Sequence, residues 1–189
     1  MLISAGGNID ARDVLGRTPL MLASEEYSPD TVKVLIANGA NVKARIEGGS
    51  TALMWASSTY HKMEGENKKQ LETIKILLAA GADVMARNGD RSTPLHFAWS
   101  VDKAKILLQA GAEINAKDNR YNTPLHIAAK FEIAVGQEGL IQLFLDAGAD
   151  PHAKNRKGQK PWDQTEENPA LKELKKTKGY WALNEAQYK

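Results

Sequence analysis

Cysteine is absent from the 189 residues, which excludes a disulfide-stapled scaffold, thiolate metal sites and a cysteine nucleophile. No charge of one sign dominates: 25 Lys+Arg against 23 Asp+Glu leave a formal net charge of +2. A dedicated nucleic-acid binder carries a larger or more clustered basic excess. Long apolar runs are missing too. Stretches such as Ile76–Ala82 fall far short of the ~20 residues a membrane helix needs. The opening MLISAGGNID has neither the basic start nor the apolar run of a signal peptide. No P-loop, no GxGxxG after a strand, no GxSxG and no HExxH occurs, so the common signatures of nucleotide, hydrolase and zinc chemistry are wanting. What remains is 42% hydrophobic and 25% charged, an ordinary globular composition and too apolar for a disordered chain.

What the sequence does have is a repeat. Glycine-centred elements stand at Ala5-Gly6-Gly7, Asn38-Gly39-Ala40, Ala80-Gly81-Ala82, Ala110-Gly111-Ala112 and Ala147-Gly148-Ala149. Their glycines step by 33, 42, 30 and 37. A second marker takes the same steps: Thr18-Pro19-Leu20, Thr51-Ala52-Leu53, Thr93-Pro94-Leu95, Thr123-Pro124-Leu125 and a degenerate Lys160-Pro161-Trp162. Each glycine is therefore 12 residues before the next marker, whereas the distance from Thr to the following Gly is 21, 30, 18 or 25. One half of every unit is fixed in length and the other half accepts insertion.

The chemistry of the markers explains that division. Thr followed by Pro starts a helix, because the hydroxyl accepts an orphan N–H and Pro suits the first helical position. A short first helix follows, as in Pro94-Leu95-His96-Phe97-Ala98. A second apolar block then repeats as Val32-Lys33-Val34-Leu35-Ile36, Ile74-Lys75-Ile76-Leu77-Leu78, Ala104-Lys105-Ile106-Leu107-Leu108 and Ile141-Gln142-Leu143-Phe144-Leu145, which reads as a buried helix face. The glycine after it suits the left-handed position that closes a helix. The constant stretch then carries an extended arm and a turn to the next helix start.

Two helices and a projecting hairpin arm at a period near 33 resemble the ankyrin repeat. The matching motifs are TPLH at Thr93–His96 and Thr123–His126, Gly-Ala-Asp at 81–83 and 148–150, and the strand-like run Gly111–Asp118. The resemblance covers roughly residues 1 to 178 and implies an all-α solenoid whose units bury their apolar stripes only against neighbours. The register divides one domain, 1–189, into a partial unit at 1–11, full units at 12–44, 45–86, 87–116 and 117–153, a capping unit at 154–178 and a tail at 179–189. Because Met1–Gly6 aligns with the last turn of a second helix, the natural protein is expected to extend upstream, with a native but truncated cap as the competing reading. A cytoplasmic location is favoured, subject to a signal sequence lying in that upstream part. The polar cap resembles those of bacterial ankyrin proteins.

The units also differ from one another. Unit two carries nine more residues than unit one, within 57–69, read either as solvated helix ends or as a protruding contact element. Unit three is three residues shorter than unit one, and Trp99 stands where other units have Ser24, Ser57 and Ala129; packing into the space of the missing turn explains it better than ligand stacking. Gly16, Gly49 and Gly158 give way to Arg91 and Tyr121 at the turn tips, a backbone cost if those turns keep a positive φ. Asn168-Pro169 begins a lysine-rich capping helix, onto which Tyr180–Leu183 is expected to fold.

No catalytic constellation emerges, and the expectation is a non-enzymatic chain without cofactor or metal. The resemblance assigns His96 and His126 to backbone bonds between adjacent units. Glu25-Glu26 and Glu166-Glu167 are read as solvated. The same resemblance implies a concave face made of turn tips and first helices, which here carries Val14, Leu15, Arg17, Glu25 and Glu26, then Glu47, Ser50, Ser58 and Thr59. Asp90, Ser92, Ser100 and Val101 follow, then Asn119, Arg120, Asn122, Lys130 and Phe131, with Arg156, Lys157 and Gln159 on the last arm. The partner-binding candidates are Leu15, Arg17, Glu47, Asp90, Arg120, Tyr121, Lys130, Phe131, Arg156 and Lys157. The face runs from apolar and acidic to basic, and its basic end, near Tyr121 and Phe131, suits an acidic segment with an apolar anchor. The expected partner is a protein or peptide. The alternative is an anionic polymer such as nucleic acid on Arg120, Lys130, Lys154, Arg156 and Lys157, which the even charge balance disfavours. A monomer is expected, with end-to-end association through Leu2 and Ile3 as the competing arrangement.

Overall fold

The computed structural model describes residues 7–58, 66–135, 139–166 and 178–186. The start at Met1–Gly6, the centre of the unit-two insertion and the Asn168-Pro169 helix lie outside them. Helices α1 (Pro19–Glu25), α2 (Pro29–Ala37), α3 (Ala52–Ser58), α4 (Glu66–Ala79), α5 (Val101–Gln109), α6 (Pro124–Val135), α7 (Leu140–Asp146), α8 (Pro161–Glu166) and α9 (Lys178–Ala186) follow one another along the described residues, with a 3₁₀-helix, Pro94–Phe97, between α4 and α5. No strand occurs among the described residues.

The helices stack in two rows. The first helices follow one another as α1, α3, the 3₁₀-helix, α6 and α8, and the second helices as α2, α4, α5, α7 and α9. Each first helix also packs on its own second helix. Leu20, Leu53, Leu95 and Leu125 form a buried column through the first row, continued by Trp162, with Ala23, Ala56, Ala98 and Ala128 beside them. Val32 and Leu35, Ile74 and Leu77, Ala104 and Leu107, and Ile141 and Phe144 line the second row. Each fully buried Leu, Ile or Phe contributes roughly 1.5–3 kcal/mol. The core is thus one continuous seam. Leu183 of α9 is fully buried in the same cluster, so α9 occupies the second-helix place of the last unit.

The Gly-Ala doublets close the second helices through paired backbone bonds. Ala40 N–H donates to Leu35 O and Gly39 N–H to Ile36 O, and the pattern recurs at Gly81-Ala82, Gly111-Ala112 and Gly148-Ala149. The four glycines have φ between 84° and 91°, the left-handed conformation that the Schellman closure requires. At the other end, the Thr18 hydroxyl accepts from Met21 N–H at 3.4 Å, and Thr51 does the same for Met54.

Unit three departs from the expected pattern. Its first helix is four residues of 3₁₀ geometry, and Ala98 leaves it at ψ 84°, because only Ala98, Trp99 and Ser100 remain to reach α5. The half-buried Trp99 stands at that break, and Ser100 caps α5 by accepting from Lys103 N–H. Lys103 itself is buried, its ammonium 3.5 Å from Ser57 O and 5.7 Å from the centre of the Tyr27 ring. Burial lowers its pKa from 10.5 to about 8.

Candidate functional site

The fixed 12-residue stretch builds five equivalent arms, each ending in a turn: 13–17, 46–50, 88–92, 118–122 and 155–159. In every turn the first residue's N–H donates to the fifth residue's carbonyl, and the fourth N–H returns to the first carbonyl. A polar first residue completes the turn from inside. Asp13, Asn88, Asp118 and Asn155 each accept two backbone N–H groups on one side-chain oxygen, the Asx geometry that pins a turn. The bond from Arg17 N–H, together with its guanidinium, lowers the Asp13 pKa. Ile46 has no such oxygen, and its turn keeps only the backbone bonds.

Adjacent arms meet edge to edge. From the second arm onward the third carbonyl of one turn accepts from the second N–H of the next: Gly48 O from Gly89 at 2.7 Å, Asp90 O from Asn119 at 2.7 Å, and Arg120 O from Arg156 at 2.8 Å. Arginine side chains reinforce the strip from one arm to the next. Arg12 donates to Arg45 O, Arg45 to Arg87 O and Arg87 to Lys117 O. His96 and His126 tie first helices to the following arm. A backbone N–H can only donate, so Nδ1 of each imidazole is the acceptor from Thr93 or Thr123, and Nε2 carries the proton to Asn122 O or Gln159 O at 3.1 Å. Desolvation lowers both pKa values, although the carbonyl that each Nε2 bonds, and Asp118 nearby, oppose it.

The second and third turn residues point outward with few commitments, apart from half-buried Asn119, whose amide donates to Gly89 O at 2.9 Å. Val14 and Leu15 are 101% and 63% exposed. Glu47, Asp90, Arg120, Arg156 and Lys157 are exposed, and their side chains form no hydrogen bond or ion pair among the described residues. Arg17 is different: it is half-buried and spent on Asp13 at 2.8 Å and Glu25 at 3.2 Å. Lys130 is exposed on α6, and the side chain of Phe131 lies outside the described residues.

The structure brings Arg120, Tyr121, Arg156 and Lys157 together, while Leu15, Arg17, Glu47 and Asp90 belong to earlier arms. Tyr121 and Arg91 keep the left-handed tip, with φ 61° and 58° where Gly16, Gly49 and Gly158 have 75–76°. For a bulky residue that conformation costs on the order of 1 kcal/mol. The Tyr121 ring is 49% exposed and lies 5.0 Å from the Arg156 guanidinium and 6.0 Å from the Lys117 ammonium. Lys117 had not been singled out from the sequence. It belongs to a column one residue before each turn, Arg12, Arg45, Arg87, Lys117 and Lys154, all basic. Aligning the arms by their glycines and reading one position further back reveals it.

Other surfaces offer little chemistry. The cleft between the second and third arms is lined by Val42, Lys43, Arg45, Thr51, Ala82, Asp83 and Ala86, with no nucleophile–base pair. No group of three metal-ligating side chains converges among the described residues, and none of their helices is long and apolar enough to cross a membrane. The family model described as ankyrin repeats (3 copies) matches residues 1–64 and 62–155. No curated protein matches the sequence.

Proposed function

The chain belongs to the ankyrin-repeat family, and we propose that it is a non-enzymatic interaction module, working as one domain, that binds a protein or peptide along its arms and first helices. The family's general role in protein–protein interaction supports the class of function. The observation that carries the choice of face is the division of labour within each arm. Four of the five first turn residues are consumed in closing their turns, and His96 and His126 in joining units. The second and third turn residues are presented outward on a strip held by backbone bonds. Such a strip is rigid before binding, so less ordering entropy is lost on association.

An anionic polymer is the competing occupant, favoured by the all-basic column before the turns. The test uses the wild-type chain and Arg120→Glu/Lys130→Glu/Arg156→Glu/Lys157→Glu as baits in an extract of the source organism. A protein retained by the first and lost from the second supports the proposal. Equal capture by both moves the site away from the C-terminal arms. Retention of nucleic acid alone, with affinity falling steeply with salt, replaces the protein reading by the polymer one.

A further inference from the structure

We infer that the last two arms form a cation–aromatic site for the carboxylates of an acidic polypeptide segment, centred on Tyr121. The inference rests on the binding role proposed above and names its chemistry. Lys117, Arg120, Lys154, Arg156 and Lys157 place five cations on two adjacent arms, locked edge to edge by Arg156 N–H to Arg120 O at 2.8 Å. None of the five forms an ion pair among the described residues. The acid among them, Asp118, is buried; its carboxylate accepts from Arg120 N–H, Asn122 N–H and the Asn122 amide. It therefore neutralises the outer surface little.

Tyr121 supplies the second, independent observation. Three of five arms put glycine at this left-handed tip, and this one holds an exposed tyrosine at φ 61°. Glycine at that tip carries no such backbone cost. A strained, exposed residue at a ligand-facing position is a mark of function. The ring stands between two cations, 5.0 Å from Arg156 and 6.0 Å from Lys117, and holds two long side chains ready for carboxylates. Orienting them beforehand lowers the entropy cost of binding.

Several features favour a polypeptide over nucleic acid. Arg156 lies over the Tyr121 ring, and Tyr121 is the one aromatic residue among the five turns, whereas single strands use successive free ring faces. Further along the strip Glu47 and Asp90 are exposed and Arg87 is paired with Glu113 at 3.3 Å, which interrupts a phosphate track. Val14 and Leu15 at the far arm offer an apolar side chain a contact that a sugar–phosphate backbone cannot use.

The experiment measures fluorescence anisotropy with fluorescein-labelled deca-glutamate, deca-glutamine and ten-nucleotide oligo-dT, in about 0.1 M salt, where screening over about 10 Å confines attraction to nearby charges. Wild type should bind deca-glutamate and not deca-glutamine. Arg120→Gln/Arg156→Gln/Lys157→Gln should lose about tenfold or more, and Lys43→Gln/Lys75→Gln/Lys105→Gln, with the same net charge, less than about twofold. Tyr121→Gly leaves net charge unchanged and should lose about threefold, while Tyr121→Phe keeps the ring and the affinity. Urea-unfolding midpoints at or above wild type for Tyr121→Gly separate this loss from a loss of fold. Absence of deca-glutamate binding, equal losses in the two triple variants, or unaltered binding by Tyr121→Gly overturns the site. Tighter oligo-dT binding that vanishes with the cluster variant gives the site to nucleic acid instead. If deca-glutamate fails but a captured protein still binds both triple variants, the interaction module stands and only this site falls.

Discussion

Replacing Lys103 by Met should stabilise the protein at neutral pH, and the gain should disappear in alkali. Lys103 is 3% exposed and sits where the other second helices carry Thr31, Thr73 and Leu140. In the unfolded chain its amine holds a proton to about pH 10.4, whereas burial lets the folded chain release it near 8. Between those values the unfolded state binds more protons, so stability rises with pH through that window. Below pH 8 the cost of the buried charge is fully present. One pKa unit is worth ~1.36 kcal/mol, so a fall from 10.5 to about 8 corresponds to about 3 kcal/mol. Lys103→Met also gives up the cation's contact with the buried Tyr27 ring, ~2 kcal/mol when desolvated, which leaves a net gain of about 1 kcal/mol. Urea unfolding of both proteins, followed by far-ultraviolet circular dichroism at pH 7 and at about pH 10.5, measures it. A destabilised variant at pH 7, or the same difference at both pH values, would refute the reasoning.

The imidazole links predict an acid-side response. His96 and His126 have lowered pKa values in the fold, so stability present above about pH 6.5 should fall as the pH drops below it. His96→Met/His126→Met, which copies the residue at Met21 and Met54, should lose about 1–3 kcal/mol per site at pH 7 and flatten that fall; thermal midpoints at pH 7 and pH 5 check both effects. The turn tips predict a graded cost. At Gly158, φ is 76° with nothing near a new Cβ, while at Gly49 a Cβ would stand 3.1 Å from Asn88 Cα. Gly158→Ala should therefore cost about 1 kcal/mol and Gly49→Ala clearly more, and equal losses in denaturant unfolding would contradict the close approach. Truncating the core column, Leu125→Ala, should cost about 2–5 kcal/mol by the same measurement.

The helix boundaries were legible because their signals are local. A Schellman closure needs a residue that tolerates positive φ, and the Gly-Ala doublets announce it four times over. A Thr-Pro start presents its cap and its fixed φ in two adjacent residues. The 3₁₀ form of Pro94–Phe97 was hidden because Thr93–His96 reads like Thr123–His126; the difference arises from the short tether to α5, a tertiary constraint. Lys103 was hidden for a related reason, since the apolar pattern of the second helices begins one residue after it. The sequence pointed to a backbone cost at Arg91 and Tyr121 if their turns keep a positive φ, and φ values of 58° and 61° meet that condition. Lys117 carries no local signal of its own, because the basic column lies one residue before the turn tips and shows only when the arms are aligned. The ring contacts that join Lys117, Tyr121 and Arg156 cross between arms, and no spacing along the chain encodes them.

The central claim is that a protein partner is bound on the strip of arms. Hydrogen–deuterium exchange of the chain with and without the captured partner tests it most directly. Added protection at the turns 118–122 and 155–159, with α2 and α5 exchanging as in the free chain, is the predicted result. Protection centred on α2 and α5, with those turns unaffected, would contradict it.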